Sequence, residues 1–206
     1  MKLLTIISIF AVAIGIAITS ACSSSGTANS PAANEAKPAT NNAAANPQTA
    51  PKKDEDAPAS VKAAFPDAQS FTKQHKDIPK DVIADIEKDS AGKVPDTDHH
   101  SYLAFSTAEG ARKQIGAATI VKVNTKEFVI VYENKSGSPF IKEVRGDGVP
   151  AAFLAQFAGK GHDDKFSVGG YIKPNGVDEA TAKAIALAIQ VDVLTMQNLY
   201  GAVHSH

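Results

Sequence analysis

The position of the only cysteine sets the first limit on what this chain can fold into. Cys22 follows a charged start, Lys2, and an almost unbroken apolar run over residues 3–18. A run of this length, ending in small residues, is typical of a secretory signal and not of a structural helix. Because no cysteine follows Cys22, the folded part of the chain has no intrachain disulfide and no cysteine-based zinc or iron–sulfur site. Its stability must come from a packed core.

The residues around Cys22 resemble a bacterial lipobox. Thr19, Ser20 and Ala21 are small and directly precede the cysteine, whose nucleophilic sulfur would accept the diacylglyceryl group. Acyl chains contribute about 0.8 kcal/mol per buried CH₂, so several of them hold a protein firmly in a lipid bilayer. We therefore expect a lipoprotein signal peptide over residues 1–21, palmitate-type acylation of Cys22, and an extracytoplasmic domain anchored to a bacterial membrane.

Residues 22–58 have the composition of a disordered tether. After Cys22 they are rich in serine, asparagine, alanine and proline, and they contain no leucine, isoleucine, valine or aromatic residue. A flexible segment of about 36 residues spans on the order of 30 Å, which is enough to lift a domain off the lipid surface. Ser23 and Ser24 stand where an aspartate would argue for retention at the inner membrane. This favours the outer membrane or the cell surface.

Residues 59–206 are predicted to form a single α+β domain. Their length suits one domain, and the chain's formal net charge of −1, with both signs interspersed, argues against nucleic acid as a partner. Short apolar and β-branched runs predict an antiparallel sheet flanked by helices. The predicted helices cover residues 60–65, 79–87, 150–157 and 178–200, and the predicted strands cover residues 101–106, 116–123, 127–133 and 140–144. The run 128–132 is apolar on both faces, so its strand should be covered on both sides.

One block resembles the FMN-binding domain family, which includes the periplasmic flavin-carrying subunits of bacterial membrane NADH:quinone reductases. The block reads FLAQFAGK at 153–160, is followed by Asp163 and Asp164, and precedes a loop, Asp178-Glu179-Ala180-Thr181, that opens the long final helix. The same order of helix, acidic turn, loop and long helix is found in the family. The resemblance extends over about residues 59–200, and its specific part is the stretch 153–164.

The resemblance implies an FMN cofactor at Thr181. In flavinylated members of the family, the threonine at this position carries the FMN phosphate as an ester, and Asp178, Glu179 and Ala180 would surround it here. A helix N-terminus favours a phosphate, and Asp178 as N-cap would put Thr181 at the third helical position. The implied function is an extracytoplasmic electron carrier that exchanges electrons with redox partner proteins and tunes the flavin.

The loop departs from the family's pattern, which leaves three alternatives open. Glu179 replaces the family's glycine, and Lys183 and Ala184 replace two serines. Glu179 and Asp178 add negative charge close to where a phosphate would lie, which is repulsive. The alternatives are covalent FMN at Thr181, non-covalent FMN held by ring stacking, and a cofactor-free surface or periplasmic binding lipoprotein that retains the fold. All three are electron-transfer or binding proteins, since no motif pairs a nucleophile with a base.

The histidines and aromatic residues are weaker candidates. Adjacent residues on a strand point to opposite faces, so His99 and His100 are poor co-ligands there. The sequence favours solvated polar loops for the histidines and predicts no metal site. Three aromatic residues are candidates for contact with a flavin ring, although core or rim packing is the favoured interpretation: Tyr132, Phe166 and Tyr171.

Overall fold

The computed structural model describes residues 57–202. The predicted signal peptide, Cys22, nearly all of the predicted tether, and His204 and His206 lie outside the described residues, so those predictions stay predictions. Within the described range, no helix is both long and apolar enough to cross a membrane. Ala57, two residues before the predicted domain boundary at residue 59, is 4% exposed and packs in the core.

The described residues form a five-stranded antiparallel sheet with helices on both faces. The strands follow one another in the order β1-β2-β3-β4-β5, as a simple meander. This confirms the predicted α+β class, with its antiparallel sheet and long C-terminal helix. The elements are α1 (Ala59–Ala64), β1 (Ser70–Asp77), α2 (Lys80–Ser90), β2 (Asp98–Ser106), β3 (Lys113–Val123), β4 (Lys126–Lys135), β5 (Ser138–Gly146), α3 (Ala151–Leu154), a 3₁₀ turn (Ala155–Phe157) and α4 (Glu179–Tyr200).

The strand β4 is buried on both faces, as its continuous apolar run predicts. Phe128, Ile130 and Tyr132 belong to the main core cluster, which also contains residues of α3 and α4. Val129 and Val131 belong to a second cluster, with residues of α1. Because successive side chains of a strand alternate between faces, one apolar run supplies both layers. The sheet therefore forms the middle layer of the domain.

The helix α4 crosses one face of the sheet and also packs against α2. Its contacts with β3, β5 and α2 bury most of the stretch 191–196, including one charged residue, Asp192. Leu187, in the first half of the helix, is 37% exposed. In the second half of the helix, more sides of α4 are buried, because both the sheet and α2 cover that half.

Two differences from the predicted elements concern the first strands. β1 was not predicted, because SFTKQHKD contains a single apolar residue, Phe71, among charged and polar ones. Charged side chains such as lysine are common on edge strands, where they oppose aggregation. β2 begins at Asp98, three residues before the predicted start at residue 101. The prediction of solvated loops is therefore wrong for His99 and His100, which lie in a strand.

Candidate functional site

A cleft of about 750 Å³ lies between the sheet and α4, and we call it the α4 cleft. The register of β2 with β3 runs from Ser106 opposite Lys113 to Tyr102 opposite Ala118. The first residues of β2 and the last residues of β3 lie beyond that register, and both line the cleft. The cleft therefore opens where the two strands separate.

The walls of the α4 cleft are mainly apolar. α4 contributes two small residues, Ala184 and Ala188, whose short side chains leave room between the helix and the sheet. Further apolar side chains come from the residue after β1, from β3 and from α4: Ile78, Val121, Val123, Leu187 and Val191. A concave, mostly apolar cleft with a few polar groups is the usual form of a small-molecule site, at volumes of about 300–1,000 Å³.

A buried polar network, which we call the Asp192 network, lies in the wall of this cleft. The carboxylate of Asp192 accepts hydrogen bonds at Oδ2 from Thr119 Oγ1, at 2.5 Å, and from the Tyr132 hydroxyl, at 2.6 Å. Its Oδ1 lies 3.2 Å from His99 Nε2. The four residues come from β2, β3, β4 and α4. One carboxylate therefore ties the helix to three consecutive strands.

His99 is the least satisfied member of the Asp192 network. Its side chain is 9% exposed, and so is that of Asp192. While Nε2 contacts Asp192, the other ring nitrogen, Nδ1, is buried without a hydrogen-bond partner among the described residues. A buried polar atom without a partner costs about 1–3 kcal/mol, so this nitrogen is a candidate position for a ligand group or a water molecule.

The tyrosines next to Asp192 have perturbed ionisation. Burial, and after it the charge of the Asp192 carboxylate, raises the pKa of Tyr132 well above its ordinary value. Burial also raises the pKa of Tyr200, although the hydrogen bond with Ser101 opposes the change. Both phenols therefore remain protonated at neutral pH and act as hydrogen-bonding groups.

The predicted FMN anchor lies at the N-terminus of α4, which we call the helix mouth (residues 178–181). Asp178 is the N-cap, and its Oδ1 accepts a hydrogen bond from the Thr181 backbone N–H at 2.9 Å, as predicted. Hydrogen bonds from the backbone and then the hydroxyl of Thr181 lower the pKa of Asp178. Glu179 forms an ion pair of 2.6 Å with Lys183, while Ala180 is exposed. At the helix mouth, Asp178 therefore already takes the Thr181 N–H, and Lys183 already pairs with Glu179.

The two halves of an FMN molecule fit this region unequally. The α4 cleft begins at Ala184, about one helical turn after Thr181, and its apolar walls suit a flat ring system. At the helix mouth itself the adjoining recess measures about 280 Å³, and the Asp178 carboxylate already takes the N–H that a phosphate would use. The apolar residues of the α4 cleft suit the ring system of FMN, whereas the carboxylates of Asp178 and Glu179 would repel its phosphate.

The block that carries the family resemblance is a packing unit in this fold. Phe153, Phe157 and Phe166 are buried, and the rings of Phe157 and Phe166 stack with their centroids 6.1 Å apart. Gln156 exchanges two hydrogen bonds of 2.8 Å with the backbone of Lys173. These contacts fix the loop that leads to α4. The favoured interpretation of Phe166 as a core residue is therefore consistent with the structure.

Among the other predicted aromatic residues, Tyr132 is buried and Tyr171 is 60% exposed. The sequence interpretation missed Asp192 and Thr119, and it named His99 and Tyr132 only as weak candidates for other roles. One signal was present: Asp192 is a lone acid within the apolar run AIQVDVLTM of the final helix. A charged residue at such a position is seldom buried unless it is paired. Its partners are far away in the sequence and could not be named from it.

Comparisons of this chain with models of known protein families, with curated proteins and with solved structures return no match. The resemblance to the FMN-binding domain family therefore stays a prediction. The functional interpretation depends on the α4 cleft, the Asp192 network and the helix mouth.

Proposed function

We propose that this chain is an extracytoplasmic binding protein, tethered to a membrane through acylated Cys22, whose α4 cleft holds a flat and mostly apolar ligand. The observation that carries the proposal is the cleft itself, with a volume of about 750 Å³ between α4 and the separated ends of β2 and β3. Its volume lies within the range of small-molecule sites. The tether predicted for residues 22–58 would let the domain meet ligands or redox partners away from the lipid surface.

The polar groups of the cleft support binding more than catalysis. The Asp192 carboxylate is committed to Thr119 and Tyr132 at 2.5 and 2.6 Å, so it is held in place as a structural acceptor. His99 shares that carboxylate, and its buried Nδ1 has no hydrogen-bond partner within residues 57–202. Such a set can orient one polar edge of a ligand. It supplies no nucleophile next to a base.

FMN is the first ligand to test, because the sequence resemblance names it and the cleft suits its ring. Native protein is purified from its host, and its visible spectrum and intact mass are measured. A flavin spectrum with a mass increment would mean covalent FMN, and a spectrum that is lost on denaturation would mean non-covalent FMN. A colourless protein is then titrated with free FMN while the quenching of flavin fluorescence is followed.

A cleft-filling substitution locates the binding. Ala188→Phe places a ring inside the α4 cleft, whereas Ala84→Phe adds the same ring to an exposed position of α2. We expect Ala188→Phe to abolish binding and Ala84→Phe to leave the dissociation constant unchanged. If both variants bind equally well, the α4 cleft is not the site. If neither FMN nor a panel of quinones and other flat aromatic compounds binds, the proposal fails.

A second candidate, covalent FMN, is favoured by one observation: Thr181 is the third residue of α4 after the Asp178 cap, at the edge of a recess of about 280 Å³. Thr181→Val removes the hydroxyl that an ester needs and leaves the side-chain shape nearly unchanged. If FMN is esterified to Thr181, the Thr181→Val variant loses the flavin mass increment and keeps its fold. A flavin mass increment that persists in Thr181→Val would exclude Thr181 as the anchor.

A further inference from the structure

Two histidines and an aspartate lie together on one face of the β1–β2 pair, away from the Asp192 network. His75 and His100 are direct partners across the two antiparallel strands. Asp98 lies two residues before His100 on β2, so its side chain projects from the same face. His99, between them, projects from the opposite face and contacts Asp192. Strand geometry therefore separates His99 from His100 and brings His100 to His75.

The donor atoms of these three side chains converge. His100 Nε2 lies 2.8 Å and His75 Nδ1 lies 3.3 Å from the same carboxylate oxygen, Asp98 Oδ2. Each residue offers one ligand atom, and the three atoms lie within 4.8 Å of one another. The two imidazole rings are 4.3 Å apart between centroids. Small rotations about the side-chain bonds bring three such atoms to the distances of about 2.0–2.2 Å that zinc requires.

We propose that His75, Asp98 and His100 form a binding site for a divalent transition-metal ion of the Zn²⁺ type. Imidazole and carboxylate are ordinary ligands for this ion, and three protein ligands leave an open position for water or an external group. A bound ion would replace the two hydrogen bonds that now join Asp98 to the imidazole rings of His75 and His100. None of the three ligands belongs to the helix mouth, so the site does not depend on a phosphate at Thr181.

The surroundings of the cluster favour a cation and allow it access. The side chains of His75, Asp98 and His100 are 48%, 40% and 40% exposed, so a hydrated ion can reach them. Asp77 lies opposite Asp98 in the strand register and adds a second carboxylate nearby. Asp98 and His100 also line the rim of the α4 cleft.

The test uses the full lipidated chain in detergent, without a histidine tag, and with His204→Ala and His206→Ala introduced so that the tail supplies no imidazole. Zn²⁺ is added in a calorimetric titration, and Co²⁺ is added separately so that its visible absorption reports the coordination. We expect one ion per chain and a Zn²⁺-dependent rise in the thermal unfolding midpoint. Coordination by histidine gives the Co²⁺ complex distinct absorption bands.

His75→Ala, His100→Ala and Asp98→Asn are then compared in the same background. Each is expected to weaken Zn²⁺ binding by at least about tenfold and to change the Co²⁺ spectrum, because each removes a ligand. His162→Ala is the matched control, since it removes a histidine outside the cluster. Circular dichroism without metal checks that the variants fold. Unchanged affinity in His75→Ala and His100→Ala, or equal loss in His162→Ala, would overturn the site.

Discussion

The two ends of α4 place polar residues in opposite situations. At the helix mouth, Asp178 bonds to Thr181, three residues away, and both are at least partly exposed. In the second half of the helix, Asp192 is buried and bonds to partners 60, 73 and 93 residues away in the sequence. One acid completes a local turn of backbone, whereas the other joins the helix to three strands.

The comparison separates a charged residue that caps a helix terminus from one that stabilises tertiary packing. Removing a local cap exposes a few N–H groups that water can satisfy, so the loss is modest. Removing a buried carboxylate leaves several groups without partners where little of their surface is open to water. The cleft residues of α4 lie between these two ends. A ligand in the cleft would therefore rest against a part of the helix that the Asp192 network holds rigidly.

The largest expected effect is that of Asp192→Ala. The change leaves Thr119, Tyr132 and His99 without their shared partner, so we expect the free energy of unfolding to fall by about 3–5 kcal/mol. Urea denaturation followed by circular dichroism measures it. Asn198→Ala is the control on the same helix, because its side chain bonds locally to Leu194 O, and it should cost no more than about 0.5 kcal/mol. An equal loss of unfolding free energy in Asp192→Ala and Asn198→Ala would contradict the prediction that the buried network matters more than a local hydrogen bond.

A middle-sized effect is expected for Tyr132→Phe, which removes one hydrogen-bond donor to Asp192 and should lower the free energy of unfolding by about 1–3 kcal/mol.

The Tyr132→Phe variant also tests the raised pKa of Tyr132. Above the ordinary tyrosine pKa of about 10, the unfolded chain loses a proton that the folded Tyr132 keeps, so stability falls as the pH rises. Each such group contributes a slope of about 1.4 kcal/mol per pH unit. The slope above pH 10, from urea titrations at several pH values, should be smaller in the variant by that amount; an identical slope would contradict the assignment.

The smallest effect is expected for Asp178→Ala at the helix mouth. The cap is lost, but its partners can turn to water, so the urea midpoint should shift less than in either change above. Because Thr181 lowers the pKa of Asp178, the contribution of this cap is present above the ordinary aspartate pKa of about 3.9 and is lost as the pH falls below it. Wild type and variant should therefore converge in acid. A difference that persists at pH 2 would show that the residue acts otherwise.

Much of the fold could be predicted because its signals are local. Apolar runs predicted β3, β4 and β5, and the Asp178 cap with the long apolar stretch after it predicted α4. β1 escaped because an edge strand needs little apolar character, so SFTKQHKD carries no period that distinguishes it from a loop. The start of β2 was missed because its first three residues, Asp98, His99 and His100, are polar and show no apolar period. The position of His99 and His100 in a strand was missed with it.

The site was predicted less completely than the fold. The helix mouth and Thr181 were predicted in their correct positions, since capping depends on residues three apart. The α4 cleft was not predicted, because it arises from the separation of β2 and β3 beyond Tyr102 and Ala118. The cluster of His75, Asp98 and His100 needs the register of β1 on β2, which no local pattern specifies.

By itself the sequence determined most of the helices and strands, which run is buried on both faces, and that stability depends on a packed core without disulfides. Those properties follow from the period of apolar residues and from the side-chain chemistry of near neighbours. The tertiary structure alone decided that Asp192 meets His99, that His75 meets His100, and that a cleft lies between β2, β3 and α4. Each of these depends on distances between residues far apart in the chain, and such distances are set by packing and strand register.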